Sequence, residues 1–400
     1  MADFPDHSHW QALSFQLSMP GQAFIDGRYV DAASGARFDC ISPIDGRVLG
    51  AVADCDAQDV ERAVLAARRS FEAGHWSQAS PAHRKRVLLA LAALVEKHAD
   101  ELALLETLDM GKPVRDARRI DLPGVVRCLS WTAEAVDKLY GEIAPTGPHE
   151  LGLVTREAAG VVAAIVPWNF PLLMACWKIA PALAMANSVV LKPSERSPLS
   201  ALRLAALAAE AGLPEGVLNV LPGHGARVGE PLALHMDVDV LAFTGSTATG
   251  ARLLGYSGRS NLKRVWLECG GKSPHLVFAD APDLDAAAKA VAQGIFFNQG
   301  EVCTAGSRLL VQRSIREDFV HQVVAYGQHM QPCHPLEADA PMGALVDAAH
   351  LHKVMGDIAR AESEGARLLL GGHRAEVEAG GCYVQPTVFD QVSPDQALAR

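Results

Sequence analysis

Apolar positions along this chain follow two different periods, and the point where one replaces the other divides it. After a short strand pair over residues 23–30 and 38–41, residues 60–73, 82–108 and 122–139 carry apolar side chains at helical spacing with charges between them. Glycine and proline interrupt the pattern at 141–148, and the alternating run 151–156 predicts a two-sided ribbon that leaves the body of the domain. From Gly160 onward, short β-branched runs alternate with helical segments. The pattern predicts strands over 161–166, 188–191, 217–221, 240–243 and 265–267, and helices over 171–185 and 199–211. Pro171 opens the first of these helices and Gly212 closes the second. Such alternation predicts a parallel sheet covered by helices on both faces. A second series follows, with strands over 276–278 and 309–311 and helices over 284–297 and 315–329. The chain reads as two α/β domains that meet near Gly270-Gly271, with no internal repeat and no coiled-coil heptads.

Composition narrows the functional classes. Four hundred residues suffice for two or three domains, and 49% apolar against 20% charged residues argues against extended disorder. Lys and Arg number 36 against 46 for Asp and Glu, a net charge of −10. That balance lacks the footprint of a nucleic-acid binder and predicts repulsion from an anionic bilayer. The acidic start Met-Ala-Asp-Phe-Pro-Asp has neither the basic start nor the apolar stretch of a secretory signal. The longest apolar run, 87–95, is about half of what crossing a bilayer requires. Eight cysteines without a C-x-x-C pair and mostly isolated histidines predict neither a metal site nor a disulfide framework. A reducing, cytoplasmic setting is therefore expected.

Chemistry is sought at the carboxyl ends of the predicted strands, where ligands of open α/β sheets gather. Gly223-His-Gly225-Ala-Arg-Val-Gly229 and Gly245-Ser-Thr-Ala-Thr-Gly250 follow two strands and can present backbone N–H groups to a phosphate, although neither is the regular G-x-G-x-x-G. Glu195, in Lys192-Pro-Ser-Glu195, can accept from both hydroxyls of an adenosine ribose and would repel a 2′-phosphate, or can serve as a surface helix cap. Cys303 lies in the Gly-bounded polar loop Asn298-Gln-Gly-Glu-Val-Cys-Thr-Ala-Gly306, suited to a reactive thiolate, with Glu301 opposing that charge unless it points away. Glu268 ends a strand beside Gly270-Gly271, either partly desolvated as a general base or paired with Lys263 or Lys272. Asn169, between Pro167 and Pro171, offers a preorganised amide donor or a plain turn.

Pro167-Trp-Asn-Phe-Pro171, Lys192-Pro-Ser-Glu195, Phe243-Thr-Gly-Ser246, Glu268-Cys-Gly-Gly-Lys272 and Gln299-Gly-Glu-Val-Cys303 resemble, in order and spacing, the NAD(P)-dependent aldehyde dehydrogenase superfamily. The resemblance implies an NAD-binding, Rossmann-like domain over 1–140 and 160–269, an oligomerisation ribbon over 141–159, and a catalytic α/β domain over 270–400. It implies Cys303 as nucleophile, Glu268 as general base and Asn169 as oxyanion donor. The NAD site would be lined by Ile165, Pro167, Trp168, Lys192, Ser194, Glu195, Gly225, Gly229, Phe243, Gly245, Ser246 and Gly250.

His9-Trp-Gln11, Ile120-Asp-Leu-Pro-Gly124, Lys138-Leu-Tyr-Gly-Glu142, Cys176-Trp-Lys178 and Lys263-Arg-Val-Trp-Leu267 look like one branch, the γ-glutamyl-γ-aminobutyraldehyde dehydrogenases of putrescine breakdown. Betaine-aldehyde and free aminobutyraldehyde enzymes share several of these stretches. Phe170, Met174, Trp177 and Phe297 are then expected along an aldehyde channel, with Asp109 and Asp121 meeting an amine at its mouth. Cys269 stands where the family commonly has Leu. A homo-oligomer is expected, as is a continuation past Arg400 carrying a Glu and a Phe for the nicotinamide ribose. The rival readings are a broad-specificity aldehyde dehydrogenase, a cofactor-free thiol esterase using Cys303 and Glu268, and a chain that only binds NAD or partner subunits.

Overall fold

A computed structural model describes residues 4–19 and 21–400; Met1–Asp3, the first half of the acidic start, lie outside the described residues. After helix α1 (His7–Gln16) come the hairpin strands β1 (Ala23–Ile25) and β2 (Arg28–Val30) and the antiparallel pair β3 (Arg37–Ile41) and β4 (Val48–Ala53). A helical run follows: α2 (Ala57–Ala73), α3 (Pro81–Lys97), α4 (Ala99–Met110), the one-turn α5 (Val114–Asp116) and α6 (Leu122–Ala135). Asp56 and Asp59 form a capping box at the start of α2, and Gly74 ends it in the left-handed conformation. The single helix expected over 82–108 is two helices, because His98 leaves helical geometry (φ −100°, ψ 21°) and caps both α3 and α4. The ribbon expected over 141–159 is the antiparallel pair β5 (Glu142–Ala144) and β6 (Gly152–Val154), with Ile143, Leu151 and Leu153 exposed.

The βα series forms as its pattern predicts. Strands β7 (Val161–Ile165), β8 (Ser188–Lys192), β9 (Leu218–Val220), β10 (Val240–Gly245) and β11 (Arg264–Cys269) are parallel, and β1 and β2 extend the sheet antiparallel beyond β9. The spatial order is β11-β10-β7-β8-β9-β1-β2. Helices α7 (Pro171–Ala184), α8 (Leu199–Glu210), the short α9 (Glu230–Leu234) and α10 (Thr247–Gly258) are the crossovers.

Burial on both faces makes β7 a continuous apolar run. Val162 and Ala164 face the core shared with α3, α6, α7 and α8, while Val161, Ala163 and Ile165 face the core beneath α2. At the edge, β11 alternates exposed and half-buried residues, and Trp266 is 64% exposed.

The second series contributes a smaller sheet. Strands β12 (Pro274–Val277) and β13 (Arg308–Val311) pair in parallel, with helices α11 (Leu284–Phe296) and α12 (Arg316–Gln328) packed together. Helix α13 (Ala348–Ser363) and the antiparallel pair β14 (Arg367–Leu370) and β15 (Val388–Asp390) complete the described chain. Among the described residues no helix is long and apolar enough to cross a membrane, and no group of three or more His, Cys, Asp or Glu is gathered to hold a metal ion.

Candidate active site

The chain leaves α11 through an uncommon backbone. Asn298, Gln299 and Gly300 are all left-handed, with φ of 49°, 57° and 77°. A side chain in that region costs about 1–3 kcal/mol, so its surroundings must impose it. Asn298 Nδ2 donates to the carbonyl oxygens of Asn169 (3.1 Å) and Glu301 (3.3 Å), while Gln299 Oε1 accepts from the Gly343 N–H (3.0 Å). Both side chains are buried, and the loop they fix delivers Cys303 to the surface. All eight cysteines are free, and Cys303 is exposed where the others are buried or half-buried.

Glu301 does not oppose the thiolate in the way its sequence position threatened. Its carboxyl turns inward and accepts from the Val346 N–H at 3.1 Å, with His350 Nε2 3.6 Å away. Burial pushes this carboxyl well above the ordinary range, against the hydrogen bond from Val346. Burial therefore works against a negative charge on this carboxyl beside Cys303.

Asn169 sits in the loop after β7. Its Nδ2 donates to the Glu301 carbonyl at 2.7 Å, two residues before Cys303, which leaves the second amide hydrogen unspent. The Asn169 and Cys303 loops are thus hydrogen-bonded in both directions. Phe170 and Phe297 flank this junction with rings stacked 6.3 Å apart. Trp177 is exposed, but Met174, expected along the same channel, is buried in the main core.

Glu268 is exposed at the end of the edge strand, not partly desolvated as expected, because β11 has a strand on one side only. Lys263 does not pair with it; its ammonium donates to the Ala233 carbonyl (2.7 Å) and Ser260 Oγ (2.9 Å). Lys178 matters instead. Its Nζ donates to Thr244 Oγ1 at 2.7 Å, and Thr244 lies opposite Glu268 in the β10–β11 register. Burial holds the Lys178 ammonium below the usual amine range, against the attraction of Glu268. Sequence reasoning gave Lys178 and Thr244 no chemical role; the available signal was a lone cation in the apolar helix α7.

The remaining expected residues gather at the carboxyl ends of β7 to β10. Ile165 ends β7, Pro167 and Trp168 follow it, and Arg196 (5.7 Å) and His350 (5.2 Å) flank the Trp168 ring. After β8, the buried Lys192 ammonium lies 2.9 Å from Glu195 Oε2, and Ser194 Oγ accepts from the Arg196 N–H at 3.2 Å. Burial would raise the Glu195 carboxyl, but the charge and hydrogen bond of Lys192 outweigh it and hold the group below its ordinary range. After β9, a methyl added at Gly225 would meet nothing within 4 Å, whereas one at Gly229 would touch Ile165 Cδ1 at 3.9 Å. After β10, the Phe243 ring covers Gly245 so closely that a Cβ would fall 2.5 Å from Cζ. Ser246 then caps α10 through the Thr249 N–H, and Gly250 faces Leu267 and the Cys269 sulfur.

Asp109 and Asp121 are not at an open mouth. Both are buried, at 0% and 1% exposure. Asp121 is ion-paired with the equally buried Lys112, whose ammonium also sits 4.1 Å over the Phe170 ring. A carboxylate this deep keeps its charge only beside a partner, and Lys112 supplies one.

Comparison with known proteins matches this geometry to one family. The profile of the aldehyde dehydrogenase family matches residues 29–400. The NADP/NAD-dependent aldehyde dehydrogenase PuuC of Escherichia coli K12 is 52% identical over 398 residues, covering 100% of this chain and 80% of that protein. A solved indole-3-acetaldehyde dehydrogenase complexed with NAD+ superposes with a TM-score of 0.98 at 57% identity, over 99% of this chain and 80% of that one. The γ-glutamyl-γ-aminobutyraldehyde dehydrogenase of Burkholderia cenocepacia J2315 gives 0.97 at 56% identity, with the same coverage. The chain belongs to the aldehyde dehydrogenase family.

Proposed function

We propose that this chain oxidises an amino-aldehyde to its carboxylic acid with NAD, through a thioester on Cys303. The observation that carries the reading is the interlocked pair of loops: a strained, hydrogen-bonded turn delivers an exposed Cys303, and the Asn169 amide that holds this loop at the Glu301 carbonyl keeps one hydrogen unspent. The Cys303 sulfur attacks the aldehyde carbon and forms a C–S bond, and the carbonyl electrons move onto oxygen. Asn169 Nδ2 and the Cys303 backbone N–H hold that oxyanion, where losing one donor typically costs about 10²–10³ in rate. Bound NAD supplies the acceptor for the hydride that leaves the tetrahedral carbon. Glu268 takes a proton from water as the water oxygen attacks the thioester, and the C–S bond then breaks to release the acid and the thiolate. The exposure of Glu268 suits a base that must reach bulk water.

The strand ends fit the cofactor. Glu195 is held charged by Lys192 yet remains a third exposed, and open space lies before Gly225. Ile165, Pro167, Trp168, Ser194, Gly229, Phe243, Gly245, Ser246 and Gly250 surround the same edge of the sheet. That arrangement also favours a dehydrogenase over a cofactor-free thiol esterase.

Among aldehydes we infer γ-glutamyl-γ-aminobutyraldehyde, by likeness to the Burkholderia enzyme, with Phe170, Phe297 and Trp177 suited to an extended chain. The comparable likeness to an indole-3-acetaldehyde enzyme makes an aromatic aldehyde the competing substrate. The exposed apolar side chains of the β5–β6 ribbon support a homo-oligomer. Following NADH formation with γ-glutamyl-γ-aminobutyraldehyde, aminobutyraldehyde, betaine aldehyde, indole-3-acetaldehyde and propanal tests the whole reading. The γ-glutamyl compound should give the highest kcat/KM, and Cys303→Ala should give none. A higher value for another aldehyde reassigns the substrate, and turnover by Cys303→Ala sinks the nucleophile.

A further inference from the structure

Helix α4 is buried along nearly its whole length, yet its inner face carries two carboxylates three positions apart, Glu106 and Asp109, each at 0% exposure. Burying a carboxylate is costly unless it is hydrogen-bonded, so their partners indicate what they do. Glu106 Oε1 accepts from the Leu172 N–H at 2.6 Å and from Ser200 Oγ at 3.1 Å. Asp109 Oδ2 accepts from the Leu199 N–H at 3.1 Å. Leu172 and Leu199 lie in the first turns of α7 and α8, whose own cap residues, Phe170 and Pro198, have no side chain able to accept a hydrogen bond. One helix therefore supplies the missing caps of two crossovers, and the first follows directly from the Asn169 loop. Lys112 holds the same loop from beneath through the Phe170 ring.

We propose that Glu106 is a positioning residue for the oxyanion site: by capping α7 at Leu172 it fixes Phe170 and Asn169 against the Cys303 loop. The proposal rests on the reading of Asn169 as oxyanion donor. Asn169 lies three residues before the captured N–H, and its amide must meet the Glu301 carbonyl at 2.7 Å while its second hydrogen serves the substrate oxygen. Without the cap, the first turn of α7 loses the one side-chain acceptor it has among the described residues, and the loop before it can shift. Misplacement of a reacting group by about 1 Å can cost about 10² in rate. Burial pushes the Glu106 carboxyl up to about 7, against the pull of Lys112, and a protonated carboxyl keeps a carbonyl oxygen for Leu172. Gln offers that same acceptor.

The test is the rate of Cys303 acylation by 4-nitrophenyl acetate, read as nitrophenolate release, which forms an oxyanion without cofactor. It is run on wild type, Glu106→Leu, Glu106→Gln, Asn169→Ala and the double variant Glu106→Leu/Asn169→Ala. Glu106→Leu should slow acylation about 10- to 100-fold, Glu106→Gln should restore it to within about threefold, and Glu106→Leu should add less than about twofold once Asn169 is gone. If Glu106→Leu does not fold, Glu106→Asp, which draws the carboxylate back from Leu172, takes its place in the same cycle. Equal slowing with and without Asn169, or no rescue by Gln, overturns the positioning role while leaving Asn169 as donor. An Asn169→Ala variant that acylates at the wild-type rate overturns the donor reading itself, and the proposal with it.

Discussion

Replacing Glu195 by Gln removes one negative charge from a pair whose other member, Lys192, is buried with its ammonium 2.9 Å away. If Glu195 accepts from the adenosine ribose, the loss is a hydrogen bond to a charged acceptor, about 1.5–3 kcal/mol. At about 1.4 kcal/mol per factor of ten, the NAD dissociation constant should rise about 10- to 100-fold. The fold should lose much less, about 1 kcal/mol or under, because Glu195 is a third exposed and the pair is screened. NADP should weaken less than NAD, since the repulsion of its 2′-phosphate disappears with the charge.

Calorimetric titration with both cofactors, beside a thermal melt, separates the two effects. An unchanged NAD affinity, or equal weakening of NAD and NADP, would refute the ribose role. The pH dependence has a definite sign. Lys192 holds the folded-state Glu195 carboxyl below its ordinary range, so its contribution is present above that range and lost only as pH falls through the depressed value. Wild-type NAD affinity should therefore stay level as pH drops to about 5, near the top of the ordinary carboxylate range.

Glu268→Gln should form the acyl-enzyme at a near-normal rate but release it slowly; intact-protein mass spectrometry during turnover should show the adduct, and an undiminished steady-state rate would remove Glu268 as base. Gly343→Ala should lower Tm and slow acylation together, because its Cβ would fall 2.0 Å from the Gly111 carbonyl and disturb the N–H that holds Gln299. Overpacking of this kind costs about 1–3 kcal/mol, and an unchanged melt would show that the loop can yield. Burial raises the Glu106 carboxyl from 4.5 to about 7, so its contribution to stability is full below the ordinary range and is lost as pH rises through 7. The amount is on the order of 3 kcal/mol. Asp109, Asp121 and Glu301, also raised by burial, act in the same direction. Differential scanning calorimetry from pH 5 to 8 should therefore find a shallower fall for Glu106→Gln than for wild type, and parallel curves would contradict the raised value.

The βα rhythm is legible from residue order alone, because a strand buried on both faces must be apolar throughout and a crossover helix must carry its stripe at 3.6 residues. Strands β7 to β11 lie within a few residues of where that pattern puts them. The ordered motifs around Asn169, Glu195, Glu268 and Cys303 were legible for the same reason, since short polar segments stand out between apolar runs. Tertiary structure decided everything that depends on a partner far along the chain. Glu301 reads as a charge beside Cys303 until Val346 turns it inward, and Glu268 reads as sheltered until β11 proves to be an edge. Asp109 and Asp121 read as acids meeting an amine at a channel mouth, yet one caps α8 from 90 residues away and the other pairs with Lys112 inside the core. Local pattern reports what a residue can do; burial and long-range hydrogen bonds set which of those roles has the lowest free energy.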